Sequence, residues 1–220
     1  PIPPRIQLIL YIIDVSCSMN GNKIKDVNTA IKKCDEILKQ IDKEQNKPIE
    51  FRIGLILFGK NTRWYNNTSL TNINNFKFKN IEPTDYQTRF DSVCRFLDDQ
   101  LESNMLFNEN ETYKRPFILL ITDGKQKRDT YIDYLNELRN NRYYTKSQRY
   151  AIGVGEHADR DMLIDFTEDD SNIISLNNGL EGKLKDIIAN LTIAFSDTPD
   201  DPEAGRLTDD DRKKMSKEDQ

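Results

Sequence analysis

Short apolar runs separated by longer periodic segments dominate the chain. Ile6–Ile13 (IQLILYII), Phe51–Phe58 (FRIGLILF), Phe117–Thr122 (FILLIT) and Tyr150–Val154 (YAIGV) are nearly continuous in apolar residues. Such runs belong to strands covered on both faces. Ile173–Leu176 (IISL) is a shorter strand of the same kind. Between them, Ile24, Val27, Ile31, Cys34, Leu38 and Ile41 recur at helical steps, as do Phe90, Val93, Leu97 and Leu101. Tyr131, Tyr134, Leu135 and Leu138 form another stripe, followed by Met162, Ile164 and Phe166 and then by Leu184, Ile187, Ile188 and Leu191. Strands alternating with helices predict an α/β fold, doubly wound, with a mostly parallel sheet and helices on both faces. Residues 62–81 break the alternation. There Trp64 and Tyr65 are read as a short edge strand and NNTSLTNINN as loop.

The sequence has 220 residues, 36% of them hydrophobic, enough for one domain with its own core. Residues 1–196 are assigned to that domain and 197–220 to an acidic, polar tail, disordered or partner-docking. Of the formal net charge of −5, nine acids and five bases fall in the tail, leaving 28 acids and 27 bases in the body. The body is nearly neutral and carries no basic stripe, which argues against nucleic acid as a partner. No window is apolar for the length of a membrane span, and the opening PIPPRIQ is unlike a secretory leader, so a cytoplasmic location is expected. Three widely spaced cysteines, without a CxxC pair, give neither a disulfide framework nor a zinc site. Cys34 and Cys94 sit on apolar helix faces and read as core. The single histidine, His157, stands among polar residues and reads as a surface loop position; a Ser-His-Asp triad would need this one residue as its base.

One apolar run ends in chemistry. After LILYII comes DVSCSM, placing Asp14, Ser16 and Ser18 at alternate positions before a helix that starts near Asn22. In open parallel sheets, ligands gather at the carboxyl ends of strands. A second acid, Asp123, ends FILLIT in the run ITDG, and Thr88 precedes the helix carrying Phe90 and Val93. Hydroxyls and carboxylates are hard ligands, suited to magnesium or manganese more than to zinc, with calcium as an alternative.

These residues resemble the metal-ion-dependent adhesion site of von Willebrand factor type A domains: Asp-x-Ser-x-Ser, a middle-loop threonine and an aspartate ending a later strand. The matching positions are Asp14, Ser16, Ser18, Thr88 and Asp123. SMNGNKIKDVNTAI and YAIGVGEHADRDMLIDFT look most like the bacterial tellurium-resistance, TerY-like branch. Cys17 stands where small members usually carry glycine, as do Tyr86 and Gln87, which leaves Thr84 as a rival to Thr88. The resemblance implies a Rossmann-like fold and a non-enzymatic, magnesium-dependent protein-interaction module. In it Ser16, Ser18 and Thr88 hold the ion directly, Asp14 and Asp123 directly or through water, and an Asp or Glu of another protein completes the shell. Family analogy adds a stress-response or signalling setting with kinase or phosphatase partners.

Two other readings remain. Asp14 beside magnesium could serve as the nucleophile of a phosphoryl-transfer hydrolase, but such enzymes carry Asp-x-Asp and position 16 is Ser. A Cys-x5-Arg phosphatase loop is absent, since Lys23 stands six positions after Cys17; no GxxxxGK[ST] or GxGxxG occurs either. The third reading is a scaffold whose metal site is degenerate and whose acidic tail does the binding.

Overall fold

The computed structural model describes residues 3–44, 49–102, 106–108, 110–176 and 183–196. The acidic tail, and every expectation placed on it, lies outside the described residues.

The first strand, β1 (Arg5–Asp14), lies at the centre of a seven-stranded sheet. It pairs in parallel with β2 (Ile49–Phe58) on one side and β5 (Phe117–Thr122) on the other. Beyond β5 come β6 (Gln148–Val154) and β7 (Ile173–Leu176), both parallel. Two short antiparallel strands, β3 (Thr62–Trp64) and β4 (Thr71–Asn72), pair with β2 at the far edge. The fold is the doubly wound α/β arrangement expected from the alternation, with a mostly parallel sheet.

Because successive side chains on a strand point to opposite faces, a strand buried on both faces supplies two cores. On β1, Ile9, Tyr11 and Ile13 join a core with α1 (Asn22–Glu44) and α6 (Leu184–Ser196). Leu8, Leu10 and Ile12 face the opposite core. That core is covered by α2 (Phe90–Glu102), α3 (Ile132–Asn140), α4 (Arg142–Lys146) and α5 (Arg160–Thr167). Cys34 and Cys94 are buried in these two cores, and His157 is exposed, as expected.

Three local readings need correction. β4 falls inside the asparagine-rich stretch read as loop, and Tyr65 lies beyond the edge strand, in a 3-10 turn where it is buried. In α5 the buried residues are Met162, Leu163 and Phe166, while Ile164 is half-buried, so the inward face is one position off the expected stripe. Among the described residues no helix is long and apolar enough to cross a membrane.

Candidate metal centre

The chain passes from β1 through α1 to β2 on one side and returns from that edge through α2 to β5 on the other side of β1, so the crevice at their carboxyl ends is where the topology opens. Asp14, the last residue of β1, is fully buried there. Its Oδ1 accepts the Ser16 backbone N–H at 2.8 Å, and its Oδ2 accepts the Thr122 hydroxyl at 2.5 Å and the Thr88 hydroxyl at 3.3 Å. Burial pushes the Asp14 carboxyl above its ordinary range, opposed by the bonds from Ser16 and Thr122.

The second serine carries the circuit to the other acid. Ser16 and Ser18 hydroxyls lie 3.0 Å apart, and Ser18 Oγ donates to Asp123 Oδ1 at 2.7 Å. Asp123 is buried at the end of β5, while Ser18 is exposed and opens the cluster to solvent. All five residues singled out from the sequence therefore meet in one hydrogen-bonded group. Thr84 does not join it. Its backbone N–H is tied to the Val15 carbonyl at 3.0 Å and its side chain is exposed, whereas Thr88 bonds Asp14.

The loop bearing Thr88 is pinned from both sides. Cys17 N–H donates to the Asp85 carbonyl at 2.6 Å, and Arg89 N–H to the Gly59 carbonyl at 3.0 Å. Gln126 adds a tie that the sequence did not reveal. Its Oε1 accepts the N–H groups of Phe90 and Asp91 at 2.5 and 3.3 Å, capping α2 from the loop that follows Asp123. Its Nε2 donates to Asp91 at 2.8 Å. Gly124 permits the close approach of these two loops, since a Cβ there would lie 2.5 Å from Thr88 Oγ1.

Two more polar side chains escaped the sequence reading. Thr122, read only as the end of a strand, orients Asp14. Lys23, in the first turn of α1, places its ammonium 2.6 Å from Asp123 Oδ2 and 3.2 Å from the Ser18 carbonyl. A cation in the first turn opposes the helix dipole, which was the available signal that this lysine answers to an acid.

The family model for the von Willebrand factor type A domain matches residues 9–190. The chain belongs to that family. Solved structures agree on the fold. A von Willebrand factor type A protein from Catenulispora acidiphila is 13% identical, with a TM-score of 0.60 over 86% of this chain and 42% of its own. The ArnB paralog VWA2 from Sulfolobus acidocaldarius is 19% identical, with a TM-score of 0.54 over 84% of this chain and 44% of its own. Proximal thread matrix protein 1 from the mussel byssus, solved with a zinc-occupied MIDAS motif, is 15% identical, with a TM-score of 0.57 over 86% of this chain and 48% of its own. The chain thus spans under half the length of each of these proteins. No curated protein matches it in sequence.

Proposed function

We propose that this von Willebrand factor type A domain binds a protein partner through a divalent ion, magnesium in the first instance, at Asp14, Ser16, Ser18, Thr88 and Asp123. The observation that carries the reading is the single hydrogen-bonded group formed by these five residues, Ser16 reaching Asp14 through its backbone N–H, delivered by three separate loops at the mouth of the sheet. The donor set fits a hard ion. Three hydroxyls and two carboxylates are all oxygen ligands, and among the described residues no cluster of three or more His, Cys, Asp or Glu side chains offers a softer site. Ser16, Ser18 and Thr88 would hold the ion directly, and Asp14 and Asp123 directly or through water. So few charged ligands leave a bound ion electrophilic toward a partner carboxylate, and exposed Ser18 marks the open side. The zinc-occupied motif of the byssus protein supports a metal role in this fold.

The function proposed is binding rather than catalysis. Asp14 is fully buried and engaged at both carboxylate oxygens, a poor posture for a nucleophile attacking a phosphoryl group. Membership of the tellurium-resistance, TerY-like branch and a stress-response or signalling role belong to the same proposal and rest on the resemblance of the motifs; a cytoplasmic location and partner docking by the acidic segment 197–220 rest on composition alone.

Manganese titration followed by paramagnetic NMR broadening tests the site directly. Broadening confined to the neighbourhood of Ser16, Ser18, Thr88 and Asp123, and lost in Asp14→Asn, is the expected result. Equal broadening in the variant would sink the assignment.

A further inference from the structure

The cluster already contains a cation. Lys23 is tethered to α1, its ammonium bonds one oxygen of Asp123 at 2.6 Å, and Ser18 Oγ holds the other oxygen at 2.7 Å. The acid is almost wholly enclosed, with 2% of its side chain exposed against 22% for Lys23. On its other flank the lysine runs beside Gly155, where a Cβ would lie 3.5 Å from the ammonium nitrogen. Gly155 has a φ of +86°, a conformation that itself favours glycine, so this slot carries no side chain. A lysine in the first turn of a helix works against the helix dipole, and its contact with Asp123 offsets that cost.

Resting on the metal reading above, we infer that Lys23 is a built-in competitor for the ion, an internal cation that occupies Asp123 until a divalent ion displaces it. Charge bookkeeping carries the argument. As carboxylates, the form that would bind the ion, Asp14 and Asp123 carry two negative charges, and Lys23 lies against one of them. A divalent ion added with Lys23 in place leaves the enclosed site with an excess positive charge; with the ammonium moved away, the site is neutral. Repulsion between an ammonium and a divalent ion sharing one carboxylate is strong at such range, even with substantial screening. The lysine therefore weakens metal binding and keeps Asp123 fixed on Ser18 while no ion is bound. The site then fills only where the ion is abundant or where a partner's carboxylate stabilises the loaded state.

The test is an Mn2+ titration of the full chain by electron paramagnetic resonance, comparing wild type, Lys23→Gln and Lys23→Arg, with NMR broadening to locate the ion. Lys23→Gln should bind Mn2+ about tenfold tighter or better, because it removes the competing charge. Lys23→Arg keeps the charge and should stay near wild type. In EDTA, Lys23→Gln should melt below wild type, and saturating Mg2+ should narrow or reverse that gap. Equal or weaker Mn2+ binding by Lys23→Gln, with the ion located at the site in both chains, overturns the inference and leaves the metal site standing. No localised binding in either chain overturns the metal reading, and the inference with it.

Discussion

Ile13 and Asp14 are neighbours on β1, both fully buried, and opposite in what burial does to them. Ile13 packs into the core shared with α1 and α6, and removing such a side chain from water contributes about 1.5–3 kcal/mol. Asp14 faces the crevice, where burial disfavours its charge and raises its carboxyl despite the hydrogen bonds it accepts. One strand thus contains a body that stabilises the fold and an end that the body must hold in place. The same change of character occurs on β5, between Ile121 and the pair Thr122 and Asp123. Two adjacent parallel strands that both end in buried polar groups mark a mouth that packing alone would not produce.

The widest way to probe this contrast is through the body. Ile12→Ala empties a fully buried position in the core covered by α2, α3 and α5, and should cost about 2–5 kcal/mol in chemical denaturation. A loss under about 1 kcal/mol would mean that the neighbours collapse into the gap and that the body is softer than its burial implies.

What the sequence made legible follows from the same division. The four longest strands could be read because double burial writes a nearly unbroken apolar run, and the candidate site because the run ends abruptly in Asp14. β4 was not legible, since two residues, Thr71 and Asn72, pairing at an edge leave no alternation to detect. α4 is too short for a helical period; its trace is Asn141, whose side chain accepts the N–H groups of Tyr143 and Tyr144 at 3.0 and 3.4 Å. Leu163 displaced Ile164 from the inward face of α5 because three apolar residues in a row fit more than one phase of a short helix. Lys23 and Gln126 were missed for a different reason. Their partners, Asp123 and the start of α2, are distant in sequence; a lysine in a first helical turn signals that some acid answers it but not which one, and Gln126 carries no mark at all.

The mouth itself can be strained without touching a ligand. Gly124→Ala places a Cβ 2.5 Å from Thr88 Oγ1, so either Thr88 leaves Asp14 or the loop after β5 shifts. Overpacking of this kind costs about 1–3 kcal/mol. The sharper readout is Mn2+ affinity, which should fall while the core spectrum is unchanged. Unaltered metal binding with a stability loss would show that Thr88 has a second productive position and that the close approach serves packing alone.

The smallest expected effect decides whether Asp14 is held at a cost to stability. Its carboxyl titrates above the ordinary 3.8 in the folded chain, mainly because it is buried. Below that ordinary value the group is protonated in folded and unfolded chains alike, and its titration favours neither. As pH rises, the unfolded chain releases the proton first, so stability falls through the folded value and stays lower above it, by about 1.4 kcal/mol for each pH unit separating the two values. Asp14→Asn removes this titration. In EDTA the variant should therefore exceed wild type in stability at neutral pH, and that advantage should vanish under acid. Magnesium should reverse the order, raising wild type and leaving the variant unmoved. A variant less stable than wild type at neutral pH would show that the bonds from Ser16 and Thr122 outweigh the burial of the charge. The end of β1 would then be as stabilising as its body, and the contrast between Ile13 and Asp14 would fail.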